Sequence, residues 1–385
     1  VCNRIEACPL LVVSAMHSTA LGGGLEIALS THYRIAVPSA RMGLPEVHLG
    51  LIPGATGTQR LPRLIGVPAS LDLVTSGRQI GAEEALELGV IDQIAKGDPR
   101  DIGLGFVNEL LSRDAPRRAV SEMAAPEPVD FDAAYDAALK KSRGQLSPAY
   151  GVRAVQAACE MPFDKGIAEE RRLFMELMGT DQRQGMIHAF FSERAVGKLP
   201  ELKGVEPRPV EAIGVIGGGT MGAGIATAAL LSGLSVVLLE MSGEAAEAAR
   251  GRIEGNLSGV LKRGKIDQAT FDRMTQQSLT PATDYDALKD VDLVVEAVFE
   301  NMDVKKEVFA KLDAVCKPGA VLATNTSYLD IDEIAAVTGR PGDVIGLHFF
   351  SPAHVMKLLE VVVADKTAPD VVATGFALGK RLGKI

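Results

Sequence analysis

The run Gly217-Gly218-Gly219-Thr220-Met221-Gly222 constrains this chain more than any other. It fits G-x-G-x-x-G. The apolar, β-branched stretch Ala212–Ile216 precedes it, and an Ala-rich stretch reaching Leu231 follows. Strand, glycine turn and helix in that order form the unit that cradles a dinucleotide pyrophosphate. Gly217 permits the tight turn, Gly219 lets the phosphates approach the backbone, and Gly222 lets helix and strand pack closely. Thr220 and Met221 open the helix, where free N–H groups and the helix dipole favour an anion. Glu240 closes the next apolar run, Ser235–Leu239, 23 residues after Gly217. A carboxylate there accepts hydrogen bonds from the adenine ribose and repels a 2′-phosphate, which selects NAD over NADP.

The remaining runs extend this unit. Asp292–Val298, Ala320–Thr324 and Val344–Phe349 read as further strands separated by helical stretches. That alternation predicts a doubly wound parallel sheet over residues 208–385. Residues 1–115 mix short apolar runs with glycine turns. Leu10–Met16 and Tyr33–Val37 read as strands, Leu25–Ser30 as a helix opening on Gly22-Gly23-Gly24, and Ala82–Leu88 as a helix stopped by Gly89. Ile52–Thr58 reads as a loop. Residues 116–207 read as helical, with Ile167–Met178 at helical spacing. Gly197–Pro209, with three prolines, reads as a linker. The fold class expected is α/β in three parts. Val1–Cys8 reads as the tail of a helix, and Ala377–Ile385 carries no terminating signal, so the sequence reads as cut at both ends.

Composition narrows the partners. A net charge of −9 disfavours a nucleic-acid or anionic-membrane surface. No uncharged apolar run approaches the ~18 residues of a membrane span. The cysteines, Cys2, Cys8, Cys159 and Cys316, form no close pair and no zinc spacing with histidine, so no metal is expected.

Oxidising a secondary alcohol with NAD needs a base at the hydroxyl and a group that orients the base. Histidine exchanges protons near neutral pH. His348 falls at a predicted strand end, where such sheets bind ligands, and Glu360 follows twelve residues on. Ser327 follows another strand end and can hydrogen-bond a substrate oxygen. Three segments, Asn325-Thr-Ser-Tyr328, Gly346-Leu-His-Phe-Phe-Ser-Pro352 and Met356-Lys-Leu-Leu-Glu-Val361, resemble the 3-hydroxyacyl-CoA dehydrogenases. The resemblance covers residues 208–385. It implies that His348 is the catalytic base, that Glu360 is its partner, and that Ser327 touches substrate and cofactor. It also assigns Glu300 and Lys305 to cofactor- or CoA-side positions. Ser351 stands at a cofactor-side position where many relatives have Asn and the peroxisomal-type branch has Ser. The family's catalytic Asn and its closing helical domain fall after Ile385.

A second resemblance covers the N-terminal part. Ala20-Leu-Gly-Gly-Gly-Leu-Glu26 and Pro45-Glu-Val-His-Leu-Gly-Leu-Ile-Pro-Gly-Ala-Thr-Gly-Thr-Gln-Arg60 resemble the enoyl-CoA hydratase/isomerase (crotonase) family. Glu26 and Glu46 are twenty residues apart, as in that family. Two carboxyl groups flanking one water can add it across a conjugated double bond, one as acid and one as base. The resemblance makes the Gly23 N–H one of the two donors to the thioester oxygen. The second donor belongs upstream of Val1. Ser18 stands where the family usually has a glycine, and is expected to carry ~1 kcal/mol or more of backbone strain. Gly166-Ile-Ala-Glu-Glu-Arg-Arg-Leu-Phe174 and His188–Arg194 resemble the linker of bifunctional β-oxidation enzymes. Leu173, Phe190 and Phe191 are expected in a core. Together these imply hydration of a trans-2-enoyl-CoA and NAD-dependent oxidation of the 3-hydroxyacyl-CoA, with a 3,2-isomerase activity on the same glutamates. The alternatives are a dehydrogenase with a degenerate crotonase part, and a non-enzymatic binder of NAD and acyl-CoA. Acyl-CoA thioesters, a thiolase or a second copy are the partners implied. The compartment expected is cytoplasm for a bacterial chain, which is preferred, and peroxisome for a eukaryotic one.

Overall fold

A computed structural model describes residues 1–385, which divide into two compact units, Val1–Ser192 and Glu193–Ile385. No helix is long and apolar enough to cross a membrane.

The first unit carries six short strands: β1 (Val13–Met16), β2 (Thr19–Leu21), β3 (Tyr33–Ala36), β4 (Arg41–Gly43), β5 (Gln79–Gly81) and β6 (Gln93–Ile94). β1, β3 and β6 form one parallel sheet; β2, β4 and β5 form a second, with β5 antiparallel to β4. The helix Gly23–Leu29 sends Leu25, Ala28 and Leu29 into a core shared with Met42, Leu44, Leu61, Val74 and Val155. The helix Leu146–Glu160 reaches that core because its inward positions are small. A Cβ on Gly151 would lie 2.8 Å from a Val74 methyl. The helix Phe163–Met178 lays Leu173 and Leu177 over Leu51 and Ile52. Phe191 departs from its expected place in a core: it is 62% exposed, edge-on to Phe190, with no apolar surface closing over it.

The second unit is a seven-stranded sheet of β7 (Ala212–Ile216), β8 (Ser235–Leu239), β9 (Leu279–Ala282), β10 (Leu293–Glu296), β11 (Val321–Thr324), β12 (Val344–Phe349) and β13 (Leu359–Val362). The order is β13-β12-β11-β10-β7-β8-β9. The central strands β7, β10 and β11 read as near-continuous apolar runs because helices cover both faces. β13 differs from the expected all-parallel sheet: it runs antiparallel to β12. The connection 350–358 is too short for a crossover, so the chain turns back as a hairpin. The chain passes from β7 outward to β9 and then returns to the other side of β7 at β10. Ligands of such sheets lie at this reversal, outside the carboxyl ends of the strands.

Candidate active sites

The glycine turn follows β7 directly. Gly217 takes φ +87°, and a Cβ there would lie 2.8 Å from the Ala297 carbonyl oxygen. A Cβ on Gly222 would meet the Gly217 carbonyl oxygen at 1.7 Å, so only glycine lets the helix Thr220–Leu231 start this close to the strand. Gly219 caps that helix, and Thr220 and Met221 form its first turn. Glu240, just beyond β8, accepts a 2.6 Å hydrogen bond from the Gly218 N–H. The acid chosen for the ribose therefore lies against the turn chosen for the pyrophosphate. This cradle, with no side chain on its floor, fits NAD.

His348 and Glu360 face each other across the β12–β13 pair, residue opposite residue. Nδ1 of His348 is 2.7 Å from Oε2 of Glu360, which leaves Nε2 for a substrate. The antiparallel register sets this geometry, so a slip of one residue would turn the two side chains to opposite faces. Ser327 lies in the exposed turn after β11. Its N–H donates to Glu300 (2.7 Å), and so does the Thr326 hydroxyl (2.6 Å). Burial works upward on the Glu300 carboxyl, but the Thr326 and Ser327 hydrogen bonds and the Lys305 charge hold it below its ordinary range. The Asn325 amide oxygen accepts from the Phe349 N–H at 2.8 Å, which ties the Ser327 turn to the strand bearing His348. Ser351 is exposed, in the loop leaving β12.

Lys305 sits elsewhere than a ligand-facing lysine would. It is 1% exposed, and its ammonium donates to both oxygens of Glu296 at 2.7 and 2.9 Å, with Glu300 at 3.4 Å. Glu296, fully buried at the end of β10, also accepts from Thr324 and from the Val298 N–H. Sequence reasoning missed Glu296. The signal was an acid closing an apolar strand run, the same signal that marked Glu240.

In the first unit, Gly22 and Gly23 open the short helix Gly23–Leu29, where the Gly23 N–H has no intrahelical acceptor. Glu26 lies one turn on, 3% exposed, with Oε1 accepting from Ala55 (2.7 Å) and Gly57 (2.8 Å). Burial pushes its carboxyl up, against the Gly57 and Ala55 hydrogen bonds and the Arg60 charge. Glu46, on the 3-10 turn Pro45–Leu49, has a buried Oε2 with no partner. Burial first, and then the charge of Glu26, push the Glu46 carboxyl up to about 7. A Cβ on Gly22 would lie 2.8 Å from Glu46 Oε1. Gly22, Gly23, Glu26 and Glu46 are thus gathered around one helix start. Ser18 is not among the residues with positive φ, so the strain expected there is absent; Thr56, at φ +84°, carries it instead. A further acid, Glu170, is 1% exposed and reaches the same loop, accepting from Thr56 and Thr58. The charged run around Glu170 gave no sign of this, since a Glu-Glu-Arg-Arg stretch on a helix reads as a solvated face.

Residues 212–385 match the family described as 3-hydroxyacyl-CoA dehydrogenase, NAD binding domain, and residues 1–101 match enoyl-CoA hydratase/isomerase. One chain thus carries a match to each of the two domains. The second unit is accordingly an NAD-binding domain, and the first a crotonase-type domain. The peroxisomal bifunctional enzyme of Cavia porcellus is 45% identical over 388 residues, covering 97% of this chain and 52% of that protein. The peroxisomal bifunctional enzyme of Homo sapiens is 43% identical over 398 residues, covering 100% of this chain and 54% of that one. The Arabidopsis thaliana peroxisomal fatty acid beta-oxidation multifunctional protein AIM1 is 37% identical over 397 residues, again covering 100% and 54%. The chain spans about half the length of the curated relatives it matches.

Proposed function

We propose that this protein carries out two successive steps of fatty-acid β-oxidation. It hydrates a trans-2-enoyl-CoA and then oxidises the resulting 3-hydroxyacyl-CoA to the 3-ketoacyl-CoA. The observation that carries the reading is a pair of proton-transfer couples on one chain, Glu26–Glu46 in one unit and His348–Glu360 in the other.

In hydration, Glu26 takes a proton from water as the oxygen adds to C3. Glu46 gives a proton to C2, and its carboxyl, at about 7, retains one near neutral pH. Burial raises the Glu26 carboxyl, which strengthens it as a base, and its two N–H donors work against that rise in favour of the ionised form. The Gly23 N–H stabilises the negative charge that builds on the thioester oxygen. The same two acids can move a 3,4 double bond to the 2,3 position. In oxidation, Nε2 of His348 takes the hydroxyl proton, and Glu360 holds Nδ1–H and stabilises the imidazolium. Bound NAD supplies the hydride acceptor. Ser327 orients the hydroxyl, while Glu300 and Lys305 keep its turn in place. Gly217, Gly219, Thr220, Met221, Gly222, Glu240 and Ser351 form the cofactor side.

The consumer of the product is a thiolase, acting separately or in complex; a second copy of this chain is the other partner proposed. For the compartment, the relatives' names point to peroxisomes or glyoxysomes, and a bacterial chain would work in the cytoplasm. The test follows absorbance with crotonyl-CoA and, separately, with 3-hydroxybutyryl-CoA plus NAD. Both substrates should turn over, and His348→Ala should abolish NADH formation while leaving NAD affinity unchanged. A large loss of NAD binding in that variant would remove His348 from the role of base.

A further inference from the structure

Four consecutive backbone N–H groups, those of residues 55–58, are divided between two buried carboxyl groups. Glu26 Oε1 takes Ala55 and Gly57, at 2.7 and 2.8 Å. Glu170 takes Thr56 on Oε1 at 2.7 Å and Thr58 on Oε2 at 3.1 Å, and the Thr58 hydroxyl adds a 2.5 Å bond to Oε2. Alternate peptides therefore face opposite ways, and each face of the segment meets its own acid. Glu170 arrives from the helix Phe163–Met178, 112 residues beyond Thr58, and is 1% exposed.

The segment does not hold this shape by preference. Thr56 takes φ +84°, a region hostile to a β-branched residue. Such a conformation persists only when its surroundings over-determine it. Two groups do so here. The Arg60 guanidinium donates to the Thr56 hydroxyl and is itself fixed by a 2.7 Å ion pair with Glu6. Glu170 holds the Thr56 backbone.

Packing does not require an acid at this position. No cation pairs with Glu170, and burial together with the nearby Glu26 charge pushes its carboxyl up to about 8. An apolar side chain of equal volume would fill the site without placing a second buried acid beside Glu26. What it could not do is accept from Thr56 and Thr58.

We propose that Glu170 is a positioning residue for the hydration step. By gripping the N–H groups of Thr56 and Thr58, it orients the intervening peptides so that Ala55 and Gly57 converge on Oε1 of Glu26. Oε2 of Glu26, which has no protein donor, then points to the water. The proposal rests on the hydratase reading of Glu26 and Glu46.

The test is Glu170→Gln, which keeps the volume and one acceptor oxygen but loses the other. Two readings are taken. In crotonyl-CoA hydration, kcat should fall roughly 10- to 100-fold with KM little changed, as expected when a reacting group is misplaced and binding surfaces remain. In amide exchange, Ala55 and Gly57, which do not touch residue 170, should lose protection. Glu169→Gln, on the neighbouring partly exposed acid that pairs with Arg172, should change neither reading. Unchanged amide protection in the core helix Leu146–Glu160 of the same unit reports that this unit has folded. Should Glu170→Gln fail to fold, Glu170→Asp, which keeps the carboxyl group but falls short by one methylene, is read in the same two assays. Unchanged kcat, or unchanged protection at Ala55 and Gly57, overturns the proposal. A wild-type chain that does not hydrate crotonyl-CoA would instead count against the hydratase reading, and the exchange data would still decide whether Glu170 sets the donors of Glu26.

Discussion

Glu46→Gln tests the electrostatics of the first unit in a way that needs no substrate. The Glu46 carboxyl ordinarily titrates near 4.5, and in the folded chain near 7, because burial and then the Glu26 charge oppose its ionisation. One tenfold step in proton affinity is worth about 1.4 kcal/mol, so the gap from 4.5 to about 7 amounts to about 3 kcal/mol. The folded state binds this proton more tightly than the unfolded state does. Its stabilising contribution is therefore complete below pH 4.5 and is lost as pH rises through about 7. Glutamine does not titrate and so escapes that loss. The stability of the wild type relative to Glu46→Gln should fall by about 2–3 kcal/mol between pH 5 and pH 8. Urea unfolding at several pH values measures this, followed by hydrogen exchange in peptides of the Val1–Ser192 unit so that the other unit does not intrude. A difference that stays level across that range, or widens in favour of the wild type as pH rises, would refute the argument that Glu46 is held as an acid by its surroundings. Hydration by the same variant should drop by about a hundredfold, since the proton donor is gone.

Two substitutions probe the second unit. Lys305→Met leaves the fully buried Glu296 without its cation and should cost about 3–5 kcal/mol, seen as a lower Tm; adding Glu296→Leu should restore most of the loss. Gly222→Ala drives a methyl to 1.7 Å from the Gly217 carbonyl oxygen, so the helix start must move. It should weaken NADH fluorescence enhancement at least tenfold, and unchanged NADH binding would show that the glycine turn does not seat the cofactor.

Much of the second unit was legible from local pattern. β7, β8, β12 and the helix Thr220–Leu231 lie where their apolar runs and flanking glycines place them. These elements are buried on both faces, and such strands stand out in composition. β4 and β5 passed unread because three residues carry no period. β13 hid because an edge strand alternates with solvent-facing residues, so Glu360 emerged through its motif rather than through its strand. The strain expected at Ser18 lies at Thr56, since a turn's angles depend on what grips it from outside.

The sequence by itself determined the nucleotide turn and the carboxylate that closes β8, which follow from side-chain chemistry at short spacing; Glu26, Glu46, His348 and Glu360 were picked out by motifs that resemble two enzyme families. Only the tertiary structure decided how those groups ionise and who holds them. Glu46 becomes an acid near neutral pH, Lys305 a buried counter-charge, and Glu170 a second grip on the loop of Glu26. Proton affinity depends on which distant segments exclude water and which donors they bring. Thr58 and Glu170, 112 residues apart, meet only when the helix Phe163–Met178 packs over the first unit's core.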